Sequence, residues 1–180
     1  LICPLVKMFK NTPIVIGAQN CHESIKYGAY TGDINPMMLK GVGASYVILG
    51  HSENRKSGED DKLINLKVRA AIKSGLKVIF CIGETLIEKR KKITKRILAK
   101  QISKGLSMIK NKKNILIAYE PVWAIGSGLI PKGPELFETV NFIKSKINGA
   151  KVLYGGSVSP KNINTLKDIN NIDGFLKGVA

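Results

Sequence analysis

What this chain lacks narrows its possibilities first. Its 180 residues include 3 cysteines, 2 histidines and 1 tryptophan, and only 13 acidic residues stand against 29 basic ones. Cys3, Cys21 and Cys81 are odd in number and irregularly spaced, which excludes a disulfide framework or a cysteine metal site and makes reduced thiols the expectation. No apolar run approaches the roughly 18 residues of a membrane span, and the opening LICPLVKMFK has neither the basic start nor the small-residue cleavage site of a signal peptide. The expected location is therefore the cytoplasm, with no membrane partner. Aromatic residues are few, and none interleaves with the densest basic run, EKRKKITKR from Glu88 to Arg96. Base stacking along a nucleic acid needs such aromatics, so their absence argues against that partner.

What is present describes a folded chain. Its length suits a single domain spanning residues 1–180. A hydrophobic share of 44% with 23% charged residues lies well away from disordered or fibrous compositions. The net charge of +16 would draw anions from nucleic acid down to a small phosphate ester, and by itself selects none. Lysine, isoleucine and asparagine are all heavily used, so the charge reads as a general residue-usage bias before it reads as a binding surface. Ile93 and Ile97 fall at helical spacing inside the basic run, which then reads as the wet face of an amphipathic helix. The alternative function for this chain is a non-enzymatic protein that binds polyanions through the segment from Glu88 to Lys100.

Short apolar runs rich in Ile and Val recur: LICPLV (1–6), IVIGA (14–18), YVILG (46–50), KVIFCIG (77–83), ILIAYE (115–120), KVLYGG (151–156) and DGFLKG (173–178). They predict buried strands. Helical periodicity lies between most of them, at Asp60 to Ser74, Leu86 to Lys110, Pro134 to Ile147 and Pro160 to Ile169, and alternation of this kind implies a parallel sheet. Asn35 before Pro36 predicts a helix start, and Gly75 after Ser74 a helix stop. A doubly wound sheet and a closed barrel both fit. Polar and glycine residues gather at the C-terminal end of nearly every strand, in GAQN, GHSEN, CIGE, YEP, YGGS and KG, which favours a (β/α) barrel. Between LICPLV and IVIGA there is room for only a stunted helix or none.

Three places could carry chemistry. Glu120 ends the apolar run ILIAY, where burial would disfavour its charged form and suit a general base; a strand-end acid paired with a nearby lysine is the structural alternative. The following VWAIGSG has a bulky anchor in Trp123 and flexible Gly126 and Gly128, the makings of a lid, or of a plain surface loop. His51 follows the strand YVIL at the start of SENR, a short helix whose N-terminus would keep the imidazole neutral and able to donate a hydrogen bond. Glu53 could orient active-site groups or cap that helix, and His22 reads as a surface residue. Glycines in YGGSV (Tyr154 to Val158) and LKGVA (Leu176 to Ala180) would let backbone amides approach a phosphate.

Together these motifs resemble the triosephosphate isomerase family. GAQN with GAYTGD, YVILGHSENR, VIFCIGE, AYEPVWAIGSG, YGGSV and DGFLKG stand in family order across almost the whole chain, and GHSE combined with YEPVWAIG is highly specific. The resemblance implies a TIM (β/α)8-type barrel that interconverts dihydroxyacetone phosphate and glyceraldehyde 3-phosphate without metal or organic cofactor. In that family a glutamate is the base, a neutral histidine the electrophile and a loop closes over the substrate. It further implies that Glu120 shuttles the proton through an enediol(ate) and that His51 polarises the substrate oxygens. Gly126, Ser157, Gly178 and Val179 would hold the phosphate, with Glu53 and Cys81 behind the reacting groups. Residues 19–33, including Gln19 and Thr31, match the family's dimer loop, so a homodimer is expected.

The match also has gaps. LICPLV matches the family's second strand, so the expected barrel is incomplete: strands two to eight are present, the first strand with its Asn-x-Lys and the last helix are missing, and the second helix is shortened. The family's final glycine pair reads Gly178-Val179 here, which puts a β-branched side chain where a phosphate would approach. The expectation is a fragment or degraded copy with impaired activity.

Overall fold

A computed structural model describes residues 1–178. Six strands, β1 (Gly17–Ala18), β2 (Tyr46–Leu49), β3 (Lys77–Ile82), β4 (Ile115–Tyr119), β5 (Lys151–Tyr154) and β6 (Gly174–Phe175), form one parallel sheet whose spatial order is the chain order. No strand is skipped between neighbours. The connections carry α2 (Pro36–Gly41), α3 (Ser52–Lys56), α4 (Asp61–Lys73), α5 (Leu86–Arg90), α6 (Thr94–Gly105), α7 (Gly133–Lys146) and α8 (Ile163–Lys167). This is the (β/α) repeat that the sequence predicts, in the unidirectional order of a barrel rather than the reversing order of a doubly wound sheet.

The first predicted strand is a correction. Residues 1–6 do not pair with the sheet; α1 (Ile2–Met8) occupies that position and buries none of its residues. A strand needs a neighbour for every backbone group, whereas a helix bonds internally, and Pro4 in the first turn removes an N–H that would have no partner in any case. Between residues 6 and 14, where the sequence leaves room for a stunted helix or none, α1 ends at Met8 and a turn follows in which Thr12 folds back on the Phe9 carbonyl.

Local chemistry sets the helix limits. The Asn35 side chain accepts the Met38 N–H at 2.8 Å ahead of Pro36, and Asp60 accepts that of Leu63 at 2.8 Å at the start of α4. Gly75, with φ at +77°, stops α4 after Ser74. Along α4, Ile64, Val68 and Ala71 share the buried stripe. The single helix expected over Leu86 to Lys110 is broken. Lys92 takes φ of 57°, and the N–H groups of Lys92 and Ile93 return to the carbonyls of Lys89 and Glu88. Those two bonds make a Schellman stop between α5 and α6. The run EKRKKITKR therefore spans a helix end, a turn and a new helix instead of one helical face.

Contacts group the chain into two compact units, residues 1–80 with 104–115, and residues 81–103 with 116 onward. In the first, Val47, Leu49, Ile64, Val68, Leu76 and Phe80 are fully buried; in the second, Leu98, Leu136, Val140, Ile143, Val152 and Tyr154 are. Among the described residues no helix is long and apolar enough to cross a membrane.

Candidate functional site

In the second unit, the end of β4 is where polar chemistry concentrates. Glu120 is 5% exposed. Its N–H donates to the Ile82 carbonyl at 2.8 Å, and the Gly155 N–H donates to the Tyr119 carbonyl at 2.9 Å, so the acid is stitched between the ends of β3 and β5. Two glycines make that fit possible. A Cβ on Gly155 would lie 2.7 Å from Glu120 Cγ and 3.1 Å from its Oε1, and one on Gly83 would run into the Glu120 carbonyl oxygen. The Gln101 side chain pins Gly83 from the other side, accepting its N–H at 2.9 Å and donating to its carbonyl at 3.0 Å.

Beyond Pro121, a 3-10 turn over Val122–Ala124 leads into the predicted lid. The Val122 N–H donates to the Glu84 carbonyl at 3.0 Å. The carboxylate of Glu84, itself 1% exposed, accepts Trp123 Nε1–H at 2.9 Å and the Tyr119 hydroxyl at 3.1 Å. Burial pushes this carboxyl above the ordinary range, while hydrogen bonds from Trp123, its own backbone amide and Tyr119, together with the charge of Lys89, pull the other way without cancelling it. Burial and the neighbouring Glu84 also raise the Tyr119 phenol well above its usual value. The two aromatic donors are therefore neutral.

Ser157 ties the far side of the lid. Its hydroxyl donates to the Ala124 carbonyl and accepts the Gly128 N–H at 3.0 Å. Gly126 and Gly128 have φ of 66° and 74°, and Ser157 has a φ of 40° that few residues other than glycine adopt. The side chain of Asn162 supports that backbone, donating to the Ser157 carbonyl at 2.9 Å and accepting the Ser159 N–H at 2.9 Å. Gly126 and Gly178 are exposed, Cys81 is buried within β3, and Val179 lies outside the described residues.

The first unit holds the other predicted residues. His51 caps α3, its Nδ1 accepting the Glu53 N–H at 3.4 Å. Arg55 holds this strand end, donating from Nε to the Gly50 carbonyl at 2.7 Å while Nη1 pairs with Asp61 at 2.7 Å. The Glu53 side chain is 82% exposed. Gln19 and Thr31 are exposed on their loop. His22, expected at the surface, instead organises that loop: Nδ1 accepts the Ser24 N–H at 3.0 Å, and its ring packs 4.3 Å from that of Tyr30.

Sequence reasoning missed two buried groups. Lys67 Nζ pairs with Glu59 at 2.5 Å and also donates to Asn20 Oδ1 at 3.2 Å, while Asn20 Nδ2 donates to Glu59 at 2.9 Å. Cys21 sits in the same unit with its thiol pushed up to about 12, chiefly by burial, which leaves it unreactive. The other missed group is Glu84 with Tyr119. A signal for it was visible: KVIFCIGE and ILIAYE both close an apolar run with an acid.

Comparisons with known proteins agree with one another. The sequence model of the triosephosphate isomerase family matches residues 1–180. A protein of that name from Thermodesulfovibrio yellowstonii is 45% identical over 97% of this chain and 74% of its own length. One from Carboxydothermus hydrogenoformans is 44% identical over 98% and 75%. The crystal structure of triosephosphate isomerase from Bartonella henselae superposes with a TM-score of 0.88 at 36% identity, covering 99% of this chain and 76% of that one.

Proposed function

The chain belongs to the triosephosphate isomerase family, and from that premise we propose that Glu120 performs the family's interconversion of dihydroxyacetone phosphate and D-glyceraldehyde 3-phosphate, a step shared by glycolysis and gluconeogenesis. The observation that carries this reading is the setting of Glu120: buried, held by its backbone between β3 and β5, given room by two glycines, and joined through Pro121 to the lid.

In this reading the carboxylate removes a proton from one carbon of the bound triose and returns it to the neighbouring carbon through an enediol(ate). His51, whose Nδ1 is occupied by the Glu53 N–H, presents Nε2–H as a donor to the substrate oxygens as charge develops on them. Amides near Gly126, Ser157 and Gly178 serve the phosphate, and the positive φ of Gly126 and Ser157 supports that role, because left-handed backbone is a component of anion-binding turns. Glu53 and Cys81 act behind these groups. The exposed loop bearing Gln19 and Thr31 is assigned to a homodimer contact, and the site of action to the cytoplasm. One carbon of the triose is oxidised as its neighbour is reduced, so the isomerisation balances internally and needs no external electron carrier; the family resemblance implies no metal or organic cofactor.

The test is an isomerase assay on the chain and on Glu120→Asp. Withdrawing the carboxylate by about one carbon–carbon bond should lower kcat on the order of 100-fold with little change in KM. An unchanged rate would remove Glu120 from the base role. Steep salt-dependent retention on DNA that a small phosphate does not compete away would favour the polyanion-binding alternative.

A further inference from the structure

The indole of Trp123 is gripped on two sides in this structure. Its edge donates to Glu84 at 2.9 Å, and its face lies 3.6 Å, centroid to nitrogen, from the ammonium of Lys89. That ammonium also pairs with Glu135 Oε1 at 2.7 Å. Trp123 stands at the beginning of the lid segment and Glu135 in the first turn of α7, the helix that follows it. One side chain thus contacts the chain on both sides of the lid.

Lys89 is well placed to hold still while it does so. It lies in α5, whose start is locked by a capping box in which the Glu88 carboxylate accepts the Thr85 N–H at 2.7 Å and the Thr85 hydroxyl accepts the Glu88 N–H at 3.3 Å. Its carbonyl accepts the Lys92 N–H at 2.9 Å in the Schellman stop. The short helix is therefore fixed at both ends. An ammonium seated over an indole and partly withdrawn from water is a favourable cation–π contact, and the Glu135 carboxylate limits the directions in which the lysine can swing away.

We propose that Lys89 is a positioning residue for the lid: by lying over Trp123 while paired with Glu135, it holds the lid's first anchor against Glu84 and keeps the segment ordered before substrate arrives. This rests on the reading of VWAIGSG, residues 122–128, as a lid over the Glu120 site. Lys89 touches no reacting atom in that reading, so its loss leaves the chemical step alone. Binding is what suffers, because a lid with a loose root must be ordered by the substrate itself.

The single tryptophan gives the test a clean signal. In Lys89→Met, acrylamide quenching of the Trp123 emission should rise about threefold and KM for the triose phosphate about fivefold, with kcat within about twofold of the parent. Lys89→Arg keeps the cation and should restore both, and Glu135→Gln should fall between. Far-UV circular dichroism of each variant separates these changes from loss of fold. Unchanged quenching in a folded Lys89→Met would overturn the grip, and a fall in kcat at constant KM would overturn the positioning role. A parent chain devoid of isomerase activity would instead defeat the reading of the site, with the quenching series still deciding whether Lys89 holds Trp123.

Discussion

Glu59 and Glu84 are both acids withdrawn from water, and they are held in opposite ways. Glu59, in the first unit, receives the Lys67 ammonium and the Asn20 amide; Glu84, in the second, receives the Tyr119 hydroxyl and the Trp123 indole. A full counter-charge locks its partner, since separating the two strands a charge in a poor dielectric. Neutral donors stabilise a carboxylate less and can be withdrawn at lower cost. The ion-paired arrangement suits a fixed joint. The neutral one suits the root of a segment that must move beyond it, and the anchor of that segment, Trp123, is one of its donors.

The largest effect should come from breaking the ion-paired knot. Lys67→Met leaves Glu59 without its cation and should lower stability by about 3 to 5 kcal/mol in denaturant unfolding. Adding Glu59→Gln removes the orphaned charge and should recover most of that loss. If the single and double variants unfolded alike, the pair would be no tighter than the neutral knot and the contrast would collapse. A smaller effect is expected from Trp123→Phe, which deletes one neutral donor to a buried carboxyl and should cost about 1 to 3 kcal/mol by the same measurement. A loss equal to that of Lys67→Met would equally erase the distinction.

The smallest and most specific effect is in the pH dependence. Because the Glu84 carboxyl is raised by burial, the folded state holds this proton more tightly than the unfolded chain does. Its contribution to stability is therefore fully present below the ordinary carboxylate range and lost as pH rises through the folded-state value. Asp173 has the opposite sign. Burial opposes its ionisation, but the Lys144 ammonium and the Val152 N–H, both at 2.7 Å, outweigh it and hold the carboxyl low. Its contribution is present above the ordinary aspartate value and fades as pH falls through the lowered one. Glu84→Gln should flatten the fall in stability that sets in as pH rises above the ordinary carboxylate range, while leaving the more acidic side, where Asp173 titrates, unchanged. A fall that survives Glu84→Gln would assign it to another group.

Much of this arrangement was legible in the sequence because it depends on local signals. Apolar runs ending in polar residues gave β1 to β6 in place, and Asn35, Gly75 and the SENR turn behaved as the cap, stop and short helix they resemble. LICPLV misled because apolar content marks burial potential without saying whether a partner strand is present to pair with. The break between α5 and α6 was hidden because Lys92 fills a left-handed position that usually announces itself with glycine. In the candidate site, Glu120, His51 and Ser157 stood in recognisable motifs. Lys89 did not: its contacts with Trp123 and Glu135 span 34 and 46 residues of sequence, and nothing in a lysine-rich run distinguishes the one that lies over a ring.

The glycines beside Glu120 carry a consequence for how such a chain tolerates change. Gly83 and Gly155 have no side chain to offer a substrate, yet a single methyl at either would collide with the acid's own backbone or with its Cγ. In a saturation library these two positions would be depleted as severely as the acid itself. A map of intolerance drawn around the end of β4 would therefore outline the close packing around Glu120 as much as its chemistry, and only the kind of damage, loss of fit against loss of proton transfer, would tell the two apart.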